Sequence, residues 1–314
     1  MRAPWAEELR AEVAPVWPFK LSRGGGMDGV LRRRGGAIVE RAVWVGERPA
    51  VVRVAQPSAG RVVFGARADD RGVASAAIAR MRRATGVDVD LRSFHDAHRA
   101  DAWIGPSVRA RPHLRPNGRP DAFEALAWAV CEQLIEYVRA AAIERRIIAR
   151  FGRRCPDWDG TGTLAAPPSA ATVAGLAPAE LQALDLAGSR ARALIAAARE
   201  VASGRVDLED PAAACQEAGW RRLRAIPGIG PWTVAVTALH GQQRYDQLPA
   251  GDLAYVKLVG QLLRPHEGPH ARAELEEVDE VFAPYVRAGY AGLAGLHALG
   301  VRATGGGASL RFAA

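Results

Sequence analysis

The chain has 314 residues, 49% hydrophobic and 24% charged, which suits two or three globular domains. Its 42 Lys and Arg against 34 Asp and Glu give a net charge of +8, which favours a polyanionic partner such as nucleic acid. The three cysteines lack CxxC spacing, which argues against a disulfide framework or a zinc or iron–sulfur site. No apolar run reaches the roughly 18 residues of a membrane span, and the N-terminus lacks the apolar segment of a signal peptide, so we expect a cytoplasmic protein.

The first 74 residues predict an antiparallel β-sheet. Short runs rich in Val, Ile and Ala lie between turns that contain Gly and Pro, and their number predicts about four to five strands. These runs are at 37–39, 42–45, 50–54 and 61–64. The basic run Leu31-Arg32-Arg33-Arg34 has two equal interpretations, contact with phosphates or the solvated face of a strand or turn.

From about Ala74 the apolar residues follow a helical period, with a break at Gly86 and a new helix start at residues 88–91. The two histidines of this second helix, His95 and His98, do not match a strong metal-binding motif. An amphipathic surface helix explains them better.

Residues 106–121 hold four prolines and four arginines with few apolar residues, and they predict a connection between domains. Beyond this connection the pattern is helical. Asp121–Phe151 is one amphipathic run, with Asp121 as its N-cap and Glu124 at the spacing of a capping box.

The fold class predicted from these patterns is α+β. We expect an N-terminal domain with an antiparallel sheet plus helices at 1–112 and an all-helical domain at 113–304. The Gly-rich end, residues 305–314, is predicted to be a flexible tail.

A turn between two helical segments, Ile226–Thr233, carries the strongest local signal. Gly228 and Gly230 allow positive φ and close approach by another backbone, and Pro231 suits the first position of a helix. Such a turn points the free N–H groups of a helix start outward, where they can bind a phosphate. A linker of purely structural role is the alternative interpretation.

These residues resemble a known family. LRAIPGIGPWTVAVTAL resembles the helix–hairpin–helix of the HhH-GPD superfamily of base-excision DNA glycosylases, and LPAGDLAYVK resembles its catalytic loop. The pattern is most similar to the AlkA-type 3-methyladenine-DNA glycosylase II branch. The resemblance covers roughly residues 60–300 and includes the segments 120–124, 131–135 and 184–200 and, more loosely, 87–94.

The resemblance implies hydrolysis of an N-glycosidic bond. Such a reaction passes through a cation-like sugar and needs a carboxylate near the anomeric carbon. Asp252 matches the family aspartate that stabilises this cation or activates water, and it can also be a plain helix N-cap. Bifunctional relatives carry a lysine nucleophile where this chain has Trp232, so we expect no strand-cleaving lyase activity.

The resemblance also implies how the damaged base is reached. The nucleotide has to be flipped out of the duplex, and Leu134, after Gln133, matches the residue that fills the gap; an ordinary Leu on an amphipathic helix is the alternative. Trp232 and Trp128 are predicted to line the base pocket, where an aromatic face can stack on a cationic purine, although either could instead pack in the core. Val236 replaces a family Tyr, which leaves the substrate range open.

The predicted DNA-binding residues share positions on the hairpin, the wedge segment or the catalytic loop: Gly228, Ile229, Gly230, Thr233, Gln133, Leu134 and Lys257. We expect no metal or cofactor for the chemistry. The family hairpin can hold a structural monovalent cation through backbone carbonyls.

The sequence therefore predicts a monomeric, nucleoid-associated glycosylase that removes damaged bases, foremost alkylated purines, from double-stranded DNA. Two alternatives stay open. One is a glycosylase for deaminated or oxidised bases, and the other is a non-catalytic helix–hairpin–helix DNA-binding protein.

Overall fold

A computed structural model describes residues 5–22, 27–35 and 37–304, and the predicted tail lies outside them. Within this part the N-terminal strands are β1 (Glu7–Val13), β2 (Arg32–Arg34), β3 (Ile38–Val45), β4 (Arg48–Ser58) and β5 (Arg61–Ala68). They form one antiparallel sheet in the order β1-β5-β4-β3-β2. The four predicted β-runs fall in three strands, β3, β4 and β5, because the runs at 37–39 and 42–45 are parts of the single strand β3.

Each face of the sheet is covered by a different part of the chain. Helix α1 (Arg71–Thr85) packs on one face and ends at Gly86, as predicted. The other face packs against a hairpin of β6 (Arg153–Pro156) and β7 (Thr163–Ala166). Pro, Gly and Thr dominate residues 155–177, a composition typical of a loop, yet the first part of this segment belongs to the hairpin.

Trp158, in the turn of this hairpin, lies directly on the sheet. A Cβ at Gly65 of β5 would be 2.9 Å from the Trp158 ring, so the strand needs a glycine there. The guanidinium groups of Arg53 and Arg67 lie 4.9 and 4.6 Å from the ring centroid. The ring thus fixes the hairpin to the sheet.

Two arginines of the basic run in β2 make ion pairs with another part of the protein. Arg32 Nη1 and Arg34 Nη2 donate to Asp157 Oδ2 at 3.2 and 2.9 Å. Neither predicted interpretation included these ion pairs, because Asp157 is far away in the sequence.

The rest of the described chain is mainly helical. Its helices are α2 (Arg92–His98), α3 (Gly105–Ala110), α4 (Ala122–Glu132), α5 (Tyr137–Phe151), α6 (Ala170–Ala174), α7 (Pro178–Gln182), α8 (Gly188–Ala202), α9 (Ala213–Arg224), α10 (Pro231–Gly241), α11 (Leu253–Leu263), α12 (Leu275–Arg287) and α13 (Ala291–Thr304), with a 3₁₀ segment at Pro265–His270. Together with the sheet they give the predicted α+β class. None of the described helices combines the length and the apolar character that crossing a bilayer would require.

The prediction of one helix over Asp121–Phe151 is wrong. The helical period continues across residues 133–136, but Leu134 has a φ of 57°, a left-handed conformation that interrupts the helix between α4 and α5. Asp121 is the N-cap of α4, as predicted, and accepts from Phe123 N at 2.9 Å. Glu124 does not complete a capping box, because it accepts from Arg41 Nη2 at 2.5 Å.

The helices pack into two cores. The first helical core joins α4–α10, with Leu126, Ile143 and Leu223 at its centre. The second helical core joins α2, α3 and α11–α13, with Phe94 and Phe282 at its centre. Helices α2 and α3 therefore pack with the C-terminal helices, although they precede the expected domain limit at residue 112. The domain limits stay a prediction.

Helix α2 is not the expected surface helix. His95 and His98 are buried, because α2 packs against α13. The ring of Phe94 lies 5.0 Å from that of His98 and 5.3 Å from that of His297, between centroids.

Candidate active site

The turn between α9 and α10 has the geometry of an anion site. Gly228 has a φ of 91°, and a Cβ there would lie 3.3 Å from Ala193 Cβ, so the turn requires glycine. Gly230 is the N-cap of α10 and Pro231 its first residue, as predicted. No hydrogen bond within the described residues uses the N–H groups of Gly228, Gly230 or Thr233. These donors stand at the positive end of α10.

The end of α4 is tied to this turn. Gln133 Nε2 donates to Gly228 O and to Thr233 Oγ1, both at 2.8 Å. Arg190 Nη1 donates to the carbonyl of Gln133 at 3.1 Å. Leu134, the next residue, projects fully exposed. The structure thus places the predicted wedge residue beside the predicted phosphate-binding turn.

Asp252 lies where the two helical cores meet. It is the N-cap of α11, and its Oδ1 accepts from Ala254 N at 2.9 Å. Its Oδ2 accepts from Trp232 Nε1 at 3.1 Å. Because α10 belongs to the first helical core and α11 to the second, this bond crosses their junction. The carboxylate is held in one orientation and stays half-buried, so it is both a cap and an accessible negative charge.

The predicted pocket residues have different surroundings. Trp232 and Val236 are half-buried one turn apart on α10, and so they share a face of the helix. Trp128 is 5% exposed, and its ring contacts Arg119, whose Cζ is 4.7 Å from the centroid, and Tyr137, whose ring is 6.5 Å away at 15°. Trp128 is therefore enclosed by side chains outside the hairpin.

Three further expectations concern the same region. The Ile229 side chain is buried, so only its backbone is available to a ligand. Lys257 is half-buried on α11. The carbonyls of Ile226 and Gly228 accept from Ile229 N and from Gln133, and a monovalent ion at this turn stays a prediction.

The structure adds one acidic residue to which sequence reasoning gave no role. Glu132 is the last residue of α4, half-buried, and no hydrogen bond or ion pair among the described residues uses its carboxylate. Burial raises its pKa to about 7; the Arg119 charge opposes the rise and the negative charge of Asp252 adds to it. The available signal was a lone carboxylate closing the apolar run Ala125–Cys131.

A second carboxyl group lies deeper. Both oxygens of Glu144 on α5 are buried without a partner among the described residues. Burial, with the nearby negative charge of Glu132, raises the pKa of Glu144 to about 12. Glu144 is therefore protonated at neutral pH.

Comparison with known proteins gives relatives in sequence and in fold. A DNA-3-methyladenine glycosylase of Bacillus subtilis is 27% identical over 199 residues, which make up 63% of this chain and 64% of that protein. DNA-3-methyladenine glycosylase 2 of Escherichia coli is 33% identical over 143 residues, 46% of this chain and 49% of that protein. The chain thus spans between about half and just under two thirds of these relatives. No protein-family model matches the chain.

Among solved structures, a 3-methyladenine DNA glycosylase from Archaeoglobus fulgidus superposes with a TM-score of 0.76 at 16% identity. The superposition covers 94% of this chain and 99% of that one. At this identity the match establishes the fold alone, and it includes the N-terminal sheet as well as the helices.

Proposed function

We propose that this chain, which is related to the DNA-3-methyladenine glycosylases and has the helix–hairpin–helix glycosylase fold, is a monofunctional DNA glycosylase. Its substrate is duplex DNA that carries a damaged base, foremost an alkylated purine. It hydrolyses the N-glycosidic bond and leaves an abasic site.

The observation that carries the proposal is the Asp252 carboxylate held by Trp232 beside the hairpin. A charge that is oriented before the reaction stabilises a developing opposite charge without reorganisation. The sugar becomes cation-like as the bond to the base breaks, and a fixed carboxylate is the complement of that state.

The surrounding residues supply binding and access. The free N–H groups of Gly228, Gly230 and Thr233 bind a DNA phosphate. Leu134 enters the base stack as the target nucleotide rotates out. The flipped base lies near Trp232 and Val236, with the C1′ atom toward Asp252, and water then adds to C1′.

The same residues support hydrolysis without strand cleavage. A lyase step needs an amine that attacks C1′ to form a Schiff base. The position that carries this amine in bifunctional relatives is Trp232, and the lysines of the whole sequence are Lys20 and Lys257. The Trp232 indole N–H donates a hydrogen bond to Asp252, and the nitrogen lone pair is part of the aromatic ring, so this nitrogen is not a nucleophile.

The remaining features follow from this activity. The enzyme acts as a monomer on double-stranded DNA, needs no cofactor and works in the cytoplasm at the nucleoid. The positive net charge of +8 supports attraction to DNA.

The test is mass analysis of the bases released from methylated genomic DNA by the purified protein. Release of methylated purines supports the proposal, and strand breaks that appear without added alkali would contradict the monofunctional assignment. Release only from duplexes with a deaminated or oxidised base would shift the substrate class. DNA binding without release of any base would instead identify a non-catalytic binder.

A further inference from the structure

We propose that Glu132 is a second catalytic carboxyl group of this site, a general acid that allows the enzyme to excise uncharged purines in addition to cationic alkylated ones. The proposal deepens the glycosylase function and rests on it. It assigns to Glu132 the protonation of the departing base and leaves stabilisation of the sugar to Asp252.

The two kinds of base place different demands on the site. An alkylated purine that already carries a positive charge leaves as a neutral molecule when the N-glycosidic bond breaks. An uncharged purine would leave as an anion unless a proton reaches a ring nitrogen during the cleavage. A positioned acid typically accelerates such a step by about 10²–10⁴-fold.

The position of Glu132 suits that role. It precedes Gln133, whose side chain ties the end of α4 to the hairpin through two hydrogen bonds. Its carboxylate has no hydrogen-bond or ion-pair partner among the described residues, and it lies within electrostatic range of Asp252. In the proposed complex the flipped base lies between Trp232 and the end of α4, with Asp252 near its sugar and Glu132 near its ring.

The charges around Glu132 decide its protonation. The titratable groups that face it are Arg119 before α4, Cys131 on α4, Tyr137 and Glu144 on α5, and Asp252 at the start of α11. Burial dominates and raises the pKa of Glu132 to about 7, against the attraction of Arg119. A large fraction of Glu132 is therefore protonated at neutral pH, whereas an exposed glutamate is ionised.

The step balances as a hydrolysis. The Glu132 proton passes to a ring nitrogen of the base while the C1′–N bond breaks, and the bonding electron pair leaves with the neutral base. Asp252 stabilises the sugar cation until a water oxygen bonds to C1′. The proton lost by this water goes to Asp252 and returns through solvent to Glu132.

The experiment compares two substrates at single turnover between pH 5.5 and 9. One is a duplex with a single hypoxanthine, which is uncharged, and the other is methylated DNA from which release of 3-methyladenine, a cationic lesion, is measured. For the parent protein we expect hypoxanthine release to fall about tenfold per unit above about pH 7, and 3-methyladenine release to lack this limb. Glu132→Gln should slow hypoxanthine release by about 10²-fold, abolish its pH limb and change 3-methyladenine release by less than about threefold.

The control is Glu136→Gln, the same change on an exposed glutamate four residues further on, which should leave both rates unaltered. Thermal unfolding of both variants reports on the fold, and the parent pH profile tests the proposal even if Glu132→Gln does not fold. Equal losses on both substrates, or hypoxanthine release independent of pH, would overturn the general acid. Release of 3-methyladenine without release of hypoxanthine at any pH would also refute the general-acid role of Glu132, and would leave the glycosylase function intact. Release of neither base would refute the glycosylase function itself.

Discussion

Asp252 caps α11, and the proposed function gives it a chemical role as well; one substitution separates the two. Asparagine is as good an N-cap as aspartate, so Asp252→Asn keeps the start of α11 but removes the negative charge that the proposed reaction uses to stabilise the sugar cation. We expect base release to fall on the order of 10²–10³-fold, with DNA affinity unchanged. Single-turnover excision and fluorescence anisotropy measure the two quantities.

Asp70→Asn is the matched control for this change. Asp70 caps α1 in the same way, accepting from Val73 N at 3.0 Å, and it lies on the sheet side of the molecule. Base release by this variant should equal that of the parent protein. An Asp252→Asn variant that also keeps its full rate would remove the catalytic role of Asp252.

Leu134 is strained as well as exposed, which makes its replacement informative. A non-glycine residue at a φ of 57° costs roughly 1–2 kcal/mol, so Leu134→Gly should leave the free energy of unfolding unchanged or raise it slightly. Without the side chain that is proposed to fill the base stack, excision from a fully paired duplex should fall about 10- to 100-fold. Urea unfolding and single-turnover kinetics measure the two effects.

The substrate supplies the control for Leu134. A lesion in an unpaired bulge needs little energy to rotate out, so its excision should change much less than that of the paired lesion. Val138→Ala removes a nearby exposed apolar side chain on α5 and should affect neither substrate. Equal losses on paired and bulged lesions would show that Leu134 does not act as a wedge.

At the scale of elements, α2, α3 and α13 meet around buried histidines. The Nε2 atoms of His95, His98 and His297 are buried without partners among the described residues. Burial lowers the pKa of all three rings, that of His297 to about 3 with help from the nearby His95 and Arg111. The folded protein therefore keeps these rings neutral.

This contact makes the fold sensitive to acid. Above the unfolded-state pKa of 6.5, these rings are neutral in both the folded and the unfolded state. As the pH falls below 6.5, the rings bind protons in the unfolded chain but stay neutral in the folded protein. The free energy of unfolding should thus decrease by up to about 1.4 kcal/mol per pH unit per histidine. Urea unfolding at pH 8, 6.5 and 5 measures this effect. The free energy of unfolding of His297→Gln should depend less steeply on pH than that of the parent protein, even if the variant is less stable at every pH.

His266→Gln is the matched control for the histidine prediction. The His266 side chain is 78% exposed in the 3₁₀ segment and packs in neither core, so this variant should keep the parent dependence of the free energy of unfolding on pH. If His297→Gln and His266→Gln have the same dependence as the parent, the buried ring does not contribute to acid instability.

Features that depend on neighbouring residues could be predicted from the sequence, whereas features that depend on contacts between distant segments could not. The hairpin turn and the cap at Asp252 depend on neighbouring residues, and the structure has both. The break at Leu134 was missed because the apolar period continues on both sides of it. His95 was predicted to lie on a surface helix, and Glu132 was given no role, because the groups that surround them come from distant segments of the chain.

At the scale of the whole molecule, the positive charge should make DNA binding depend strongly on salt. Each neutralised phosphate adds about 0.9 to the slope of log Kd against log salt concentration. Lys257→Gln should lower this slope by about one if Lys257 contacts a phosphate. Lys20→Gln, which removes the only other lysine from an exposed position, should lower it less.

The tie between Gln133 and the hairpin has a mechanical consequence. The Gln133 side-chain amide links two parts of the protein: the turn that would bind the DNA backbone, and the end of α4, from which Leu134 projects. The distance between these two parts is therefore set before DNA binds. Because the two hydrogen bonds hold these parts at a fixed separation, a displacement of the bound phosphate would also displace Leu134 in the base stack. No mobile loop would have to close. How effectively phosphate binding helps to rotate a nucleotide out of the duplex would then depend on how rigid the two Gln133 hydrogen bonds are.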